Sequence, residues 1–330
     1  MAMEDVSASA DALKSEGDAM ATNGSLRRGR RRGSRRTHVP VRTQRQRLAY
    51  VLLAPLALFI GALTLYPTAL TTVQSFFRED SLDPQHNFIG LRNFRDAFAN
   101  PAIRQSFLNT AIYVGFGTVA SVGLGLVFAL LLRRKSRWRA VLLAIVILPW
   151  ALPPVVEALL WARIYDPSFG PLNGVLVAVG LISHNRVWLG SNRWEALLLI
   201  ELVQIWQATP LSVLLILAAL QLIPKELYES ASVDGATAWH GFRYVTLPLL
   251  RPGITVATVA AITGSLNIFD QPYILTGSAS ATASVGLQTY EVSFQNLNFG
   301  QGYALSLIMT VATAALSLVV MRVVYRRVEF

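Results

Sequence analysis

Six long apolar runs constrain this chain more than any other feature. From Leu48 onward the sequence alternates between apolar stretches and polar connections. The runs lie at about 48–71, 108–132, 140–161, 196–219, 253–276 and 303–325. Each reaches the ~20 residues that an α-helix needs to cross a bilayer. Lipid offers the backbone no hydrogen bonds, so an open chain can cross only as helices. The expected fold class is all-α, a polytopic membrane protein with six transmembrane helices. Composition agrees, with 53% hydrophobic and only 15% charged residues, against about 25% charged in an ordinary soluble domain. The absence of cysteine excludes a disulfide scaffold, thiolate-ligated zinc and a cysteine nucleophile. Pro149, Pro153 and Pro154 in the third run predict a kink.

Residues 1–47 are different. They are rich in Ala, Ser, Gly and Arg, with seven arginines between Arg27 and Arg36. Such a segment cannot bury enough apolar area to offset its ordering entropy, and it is expected to be a disordered basic tail. It has no apolar core between a basic start and a cleavage site, so it does not read as a signal peptide. An arginine run can serve nucleic acid, but a basic flank before a hydrophobic span has a simpler use. With the N-terminus inside, 22 of the 29 Lys and Arg residues fall on the cytoplasmic side. The short loop Arg133 to Arg139 alone carries five. The positive-inside rule then places both termini in the cytoplasm. Attraction to anionic membrane lipids accounts for the tail, and no nucleic-acid partner is expected. Residues 48–330 form the six-helix domain.

The fourth connection, about 220–252, is long and lies on the cytoplasmic side. Pro224 can open a helix, and Gly235 can supply the positive φ that ends it. A second short helix over 236–246 is expected to stop before Pro248. Two helices joined at a glycine make a compact protrusion. Its residues Glu229-Ser230-Ala231, then Gly235, then Val245-Thr246-Leu247-Pro248 resemble the "EAA" loop of ABC importer permeases. The flanking Ile223-Pro224, Asp234-Gly235-Ala236 and Leu247 to Pro252 are similar to the carbohydrate-uptake branch, of maltose and glycerol-3-phosphate type. So are Phe88-Ile89-Gly90-Leu91-Arg92-Asn93-Phe94, Asn109-Thr110, Leu148-Pro149 and Phe269-Asp270. Two departures stand out. Ser230 replaces an alanine, and Thr276-Gly277-Ser278-Ala279-Ser280 stands where that branch carries a glycine-rich T-G-G-G-P.

The resemblance implies that the connection is a coupling helix seated on a cytoplasmic ATPase. Glu229 would pair with a basic group there, Ser230 and Ala231 would allow close approach, and Asp234 and Gly235 would form the turn. It also implies a second permease subunit, two ABC ATPase subunits, an extracytoplasmic solute-binding lipoprotein and a sugar substrate. ATP and Mg would be bound by the ATPases. The chain itself has no GxxxxGK[ST] pattern, so it holds no P-loop nucleotide site. It is expected to be a transport subunit, not an enzyme, with no cofactor of its own. Without the resemblance, the connection reads as an amphipathic connector. The rival function is an ATP-independent secondary transporter or channel for a polar solute.

Ionisable groups inside membrane spans are functional candidates by default. Glu157, Glu201 and Asp270 fall in the outer parts of their runs. Glu201, Gln204 and Gln207 share one face of the fourth run, and Asn267, Asp270 and Gln271 one face of the fifth. With Trp150 and Phe269 nearby, Glu157, Gln204, Gln207, Asn267, Asp270, Gln271 and Tyr273 form the expected substrate pathway. Carboxamides, carboxylates and flat rings suit a sugar. A phosphate asks for Arg or Lys, and none lies in the interior of a span. Gln204 and Asn267 can equally hydrogen-bond neighbouring helices, and Glu201 can snorkel to the headgroups. The four histidines do not cluster, and no metal site is expected.

Overall fold

The computed structural model describes residues 41–80, 85–134, 136–190, 192–277, 279 and 281–324. Residues 1–40 of the expected tail, Lys135, Ser278 and Ser280 lie outside them. In chain order the helices are α1 (Val41–Ile60), α2 (Tyr66–Gln74), α3 (Arg92–Ala99), α4 (Pro101–Leu132), α5 (Arg139–Ala151), α6 (Pro154–Ile164), α7 (Pro171–Ala178) and α8 (Arg193–Gln221). There follow α9 (Glu226–Val233), α10 (Ala238–His240), α11 (Leu247–Leu249), α12 (Arg251–Leu266), α13 (Asp270–Thr276), α14 (Val285–Tyr290) and α15 (Phe299–Val324). Among the described residues only isolated bridges, Phe77 with Phe88 and Asp80 with Asn298, interrupt the helical pattern.

The chain divides into two units at Phe59–Ile60. The N-terminal unit carries α1, whose side chains from Ala49 to Phe59 are exposed. This helix begins at Val41, inside the segment that the sequence assigns to the tail. Arg42 to Arg47 contain Arg and Gln, which favour helix, so a polar turn extends the apolar helix at its start. The second unit holds the remaining helices.

Four helical stretches are long and apolar enough to cross a membrane: Ala49–Gln74, α4, α8 and α15. Two bent pairs bring the number to six, if each counts as one span. The third expected span is broken rather than kinked, since α5 and α6 meet at 99°. Each residue before a proline is driven out of the helical region. Leu152 (ψ 139°) precedes Pro153, and Pro153 (ψ 135°) precedes Pro154.

The fifth expected span is also interrupted. Helix α12 stops at Leu266 and α13 restarts at Asp270. Pro272 explains the break. In a continuous helix its ring would clash with the carbonyl of Ile268 and would leave that carbonyl without a donor. The Ser284 hydroxyl instead donates to the Ile268 carbonyl at 2.5 Å. Asn267, Asp270 and Gln271 therefore do not share one continuous helical face. The other bent pair joins Ala238–Leu249 to α12 at 64°.

Helices α4, α8 and α12 pack together around Ala129, Leu132, Val213, Leu217, Leu250 and Ala257. Small residues set their spacing. A Cβ on Gly125 would lie 2.5 Å from that of Ser212, and one on Gly253 would strike Ala219. Without a hydrophobic drive between helices in lipid, such close approach is what holds them.

Candidate functional site

The 222–250 connection is anchored at both ends and exposed at its tip. Ile223 and Leu250 are buried in the same cluster as Leu132 and Leu220. Arg133, at the end of α4, lies over the Tyr228 ring at 4.2 Å. The Tyr228 hydroxyl meets Thr246 Oγ1 at 3.0 Å. Helix α9 closes as a double glycine cap: the Ala236 amide donates to the Ala231 carbonyl at 2.9 Å and the Gly235 amide to Ser232 at 3.1 Å. Gly235 has φ +77° and would meet nothing if given a Cβ. It is therefore required for its backbone angle, not for space within this chain.

Of the residues expected to contact a partner, Glu229, Ser230, Asp234 and Gly235 are exposed and Ala231 is half-buried. They adjoin exposed apolar groups, Val233 (87% exposed), Trp239 and Tyr244. The second helix does not stop before Pro248. A π-helical turn, Gly241–Thr246, carries the chain into α11, which contains Pro248. The wider turn accommodates a residue that has no amide to donate.

The residues expected to form one substrate path fall into three places. Gln204 and Gln207 line a cavity of about 150 Å³ with Trp150, Ser212 and Gly264. Glu157 (0% exposed) lies within electrostatic reach of half-buried Asp270, across α6 and α13. Asn267 lines a separate, larger cavity with α14 and α15. Gln271 is buried, and Tyr273 stacks on Phe269 at 5.4 Å.

Glu201 (1% exposed) does not snorkel. It faces α4, where a Cβ on Gly117 would collide with its carboxylate and sit 3.3 Å from Ser265 Oγ of α12. Among the described residues neither oxygen of Glu157 or Glu201 has a hydrogen-bond partner. Outside the spans, the amides of Phe169 and Ser168 donate to Asp166 and hold its carboxyl below the usual carboxylate range. No group of three metal-ligating side chains occurs among the described residues.

A polar clamp escaped the sequence reading. Asn109 Nδ2 donates to the carbonyls of Ala281 (3.1 Å) and Ala283 (2.9 Å). Arg193 donates to Asn109 Oδ1 at 2.8 Å and to Ala281 at 3.0 Å. The Tyr113 hydroxyl donates to Thr282, and the Val285 amide to Thr110 Oγ1, both at 2.9 Å. The loop before α14 is thus sewn onto α4. Asn109-Thr110 was visible as a motif, but its partners lie about 170 positions away. Asn93 plays a similar part, donating to Ser75 (2.9 Å) and Phe77 (2.8 Å).

Residues 121–329 match the sequence profile of the family described as "Binding-protein-dependent transport system inner membrane component". The trehalose/maltose transport permease MalF of Thermococcus litoralis is 34% identical, with 84% of this chain and 93% of that protein covered. The trehalose permease SugA of Mycobacterium tuberculosis is 31% identical, with 84% and 89% covered. Among solved structures, the bacterial ABC transporter that imports alginate superposes with a TM-score of 0.74 at 22% identity, over 87% of this chain and 98% of that chain. That likeness establishes the shared fold.

Proposed function

The chain belongs to the family of binding-protein-dependent transport-system inner-membrane components, and from that premise we propose that it is the permease subunit of an ABC importer for a neutral sugar. Membership carries the class. The substrate is supported by relatives named for trehalose and maltose transport and by the two cavities that Gln204, Gln207 and Asn267 line, which have no Lys or Arg in their lining.

In this reading both termini are cytoplasmic, and residues 1–47 hold the N-terminus inside and against anionic headgroups. Two ATPase subunits bind ATP and Mg, which this chain does not. A second permease completes the pathway, and an extracytoplasmic solute-binding protein delivers the sugar. The exposed turn at Glu229, Ser230, Ala231, Asp234 and Gly235 seats on an ATPase, with Glu229 facing a basic group. Breaking one partner of such a pair strands the other charge. Closure of the ATPases tilts α9. The anchors at Tyr228, Ile223 and Leu250 pass that tilt to α4, α8 and α12. Gln204 and Gln207, with Trp150, then face the sugar path, and the Glu157–Asp270 pair lies across a helix contact that the tilt shifts.

The test is reconstitution of the assembled importer in proteoliposomes with its binding protein. ATP-dependent uptake of a neutral sugar, lost in Glu229→Arg despite normal membrane insertion, supports the reading. Uptake driven by an ion gradient without ATP sinks it.

A further inference from the structure

Six aromatic rings run in an unbroken file from α13 to α15. Phe269 and Tyr273 stack at 5.4 Å, and both contact Tyr290, at 5.4 and 6.0 Å. Tyr290 meets Phe294 at 5.4 Å, Phe294 meets Phe299 at 5.9 Å, and Phe299 meets Tyr303 at 6.5 Å. The rings are not a sealed core: Phe294 is 62% exposed and Tyr273 is 39% exposed.

The file ends at Tyr303, which with Phe299 borders a separate cavity beside Arg78, Glu79, Asp80 and His86, and the same face of α15 continues to the larger cavity. Tyr303 is followed by Ser306, Thr310, Thr313 and Ser317 at helical spacing. These four, with Asn267 and Thr289, border a space of about 520 Å³. That lies within the ~300–1,000 Å³ usual for small-ligand sites.

The polarity of this cavity is weighted toward acceptors. The hydroxyls of Thr289, Thr310 and Thr313 donate back to carbonyls of their own helices, at 2.7, 2.9 and 2.8 Å. Asn267 Nδ2 donates to Thr263 at 2.8 Å. With those hydroxyls engaged, the threonines offer the cavity oxygen lone pairs, while Asn267 keeps a second amide N–H beside its carbonyl oxygen. No charged residue lines it, and no Lys or Arg occurs between Gly277 and Gly302.

We propose that the aromatic file and this acceptor-lined cavity form one carbohydrate track. Pyranose C–H faces slide over the rings, and sugar hydroxyls then donate to the waiting oxygens. The oxygen-rich lining favours a neutral, donor-rich polyol, and it holds no Lys or Arg to bind a phosphate or carboxylate. The inference rests on the sugar reading above and adds its binding surface.

The test uses the assembled importer in proteoliposomes with its binding protein. The probes are radiolabelled glucose, maltose and trehalose, with glycerol 3-phosphate as the anionic control. Phe294→Leu and Tyr290→Leu keep apolar bulk and remove the ring. Each is expected to lower uptake at limiting sugar by about tenfold, equivalent to ~1.4 kcal/mol, mainly through KM. Phe294→Trp and Tyr290→Phe should retain uptake, and Thr310→Val should raise KM.

Leucine variants that transport like wild type overturn the track while leaving the importer reading intact. Leucine variants that lose the second permease on purification make this face a subunit contact, and also overturn it. A wild type that imports none of the three sugars overturns the importer reading and the track together.

Discussion

Two long connections flank α12 and α13, and they are built in opposite ways. The 222–250 connection closes on itself with short-range bonds, Ala236 to Ala231 and Gly235 to Ser232, and leaves its tip exposed. The 277–298 connection is largely buried over 282–293 and is tied by Asn109, Thr110, Tyr113 and Arg193 to distant parts of the chain. The segment proposed to move with a partner is anchored near its ends. The segment proposed to shape a path is fastened to α4 and α8 at 281–285.

Gly235→Asp is the most severe way to break this comparison. An L-residue at φ +77° is strained by roughly 1–2 kcal/mol, in an exposed turn where the bundle does not depend on it. Uptake is expected to fall to background with yield and membrane insertion unchanged. Normal uptake by a well-expressed variant would contradict the coupling role.

Asn109→Ala attacks the other connection. It removes two hydrogen bonds to loop carbonyls and the acceptor for Arg193. At about 0.5–1.5 kcal/mol net per bond, the loss is ~2–3 kcal/mol, read as a lower melting temperature in detergent. Binding of the ATPase subunits should persist. An unchanged melting temperature would mean that the clamp does not hold the loop.

Gly117→Ala sharpens the contrast within the bundle. The added methyl meets the Glu201 carboxylate, and overpacking of this kind costs about 1–3 kcal/mol. Glu201→Ala in the same chain should restore part of that loss, and a double-mutant cycle in thermal unfolding measures the coupling. Additive effects would show that the two groups do not share the space. The smallest effect belongs to Ser230→Ala. Ser230 is exposed, so stability should stay within about 0.5 kcal/mol and uptake should match wild type.

The same contrast explains what was legible in the sequence. The 222–250 turn is a local object, so the Gly235 cap could be read from the sequence, while the role expected of Glu229 came from the resemblance. The six spans were legible because burial in lipid writes long apolar runs. The breaks were not, because hydropathy does not register where a proline removes one bond. Pro272 divides the fifth run and Pro153-Pro154 the third, so Asn267 is separated from Asp270 and Gln271. The clamp was illegible for a different reason: Asn109 and Ala283 are neighbours only in three dimensions.

The most direct test of which connection meets the ATPase uses a natural advantage of this chain, its lack of cysteine. A single Asp234→Cys permease, treated with a short bis-maleimide in the assembled importer whose ATPases carry a matching surface cysteine, should cross-link to an ATPase subunit. The yield should change when ATP is added. The account is contradicted if Asp234→Cys gives no such product while Gln295→Cys, exposed in the other connection, captures the ATPase instead.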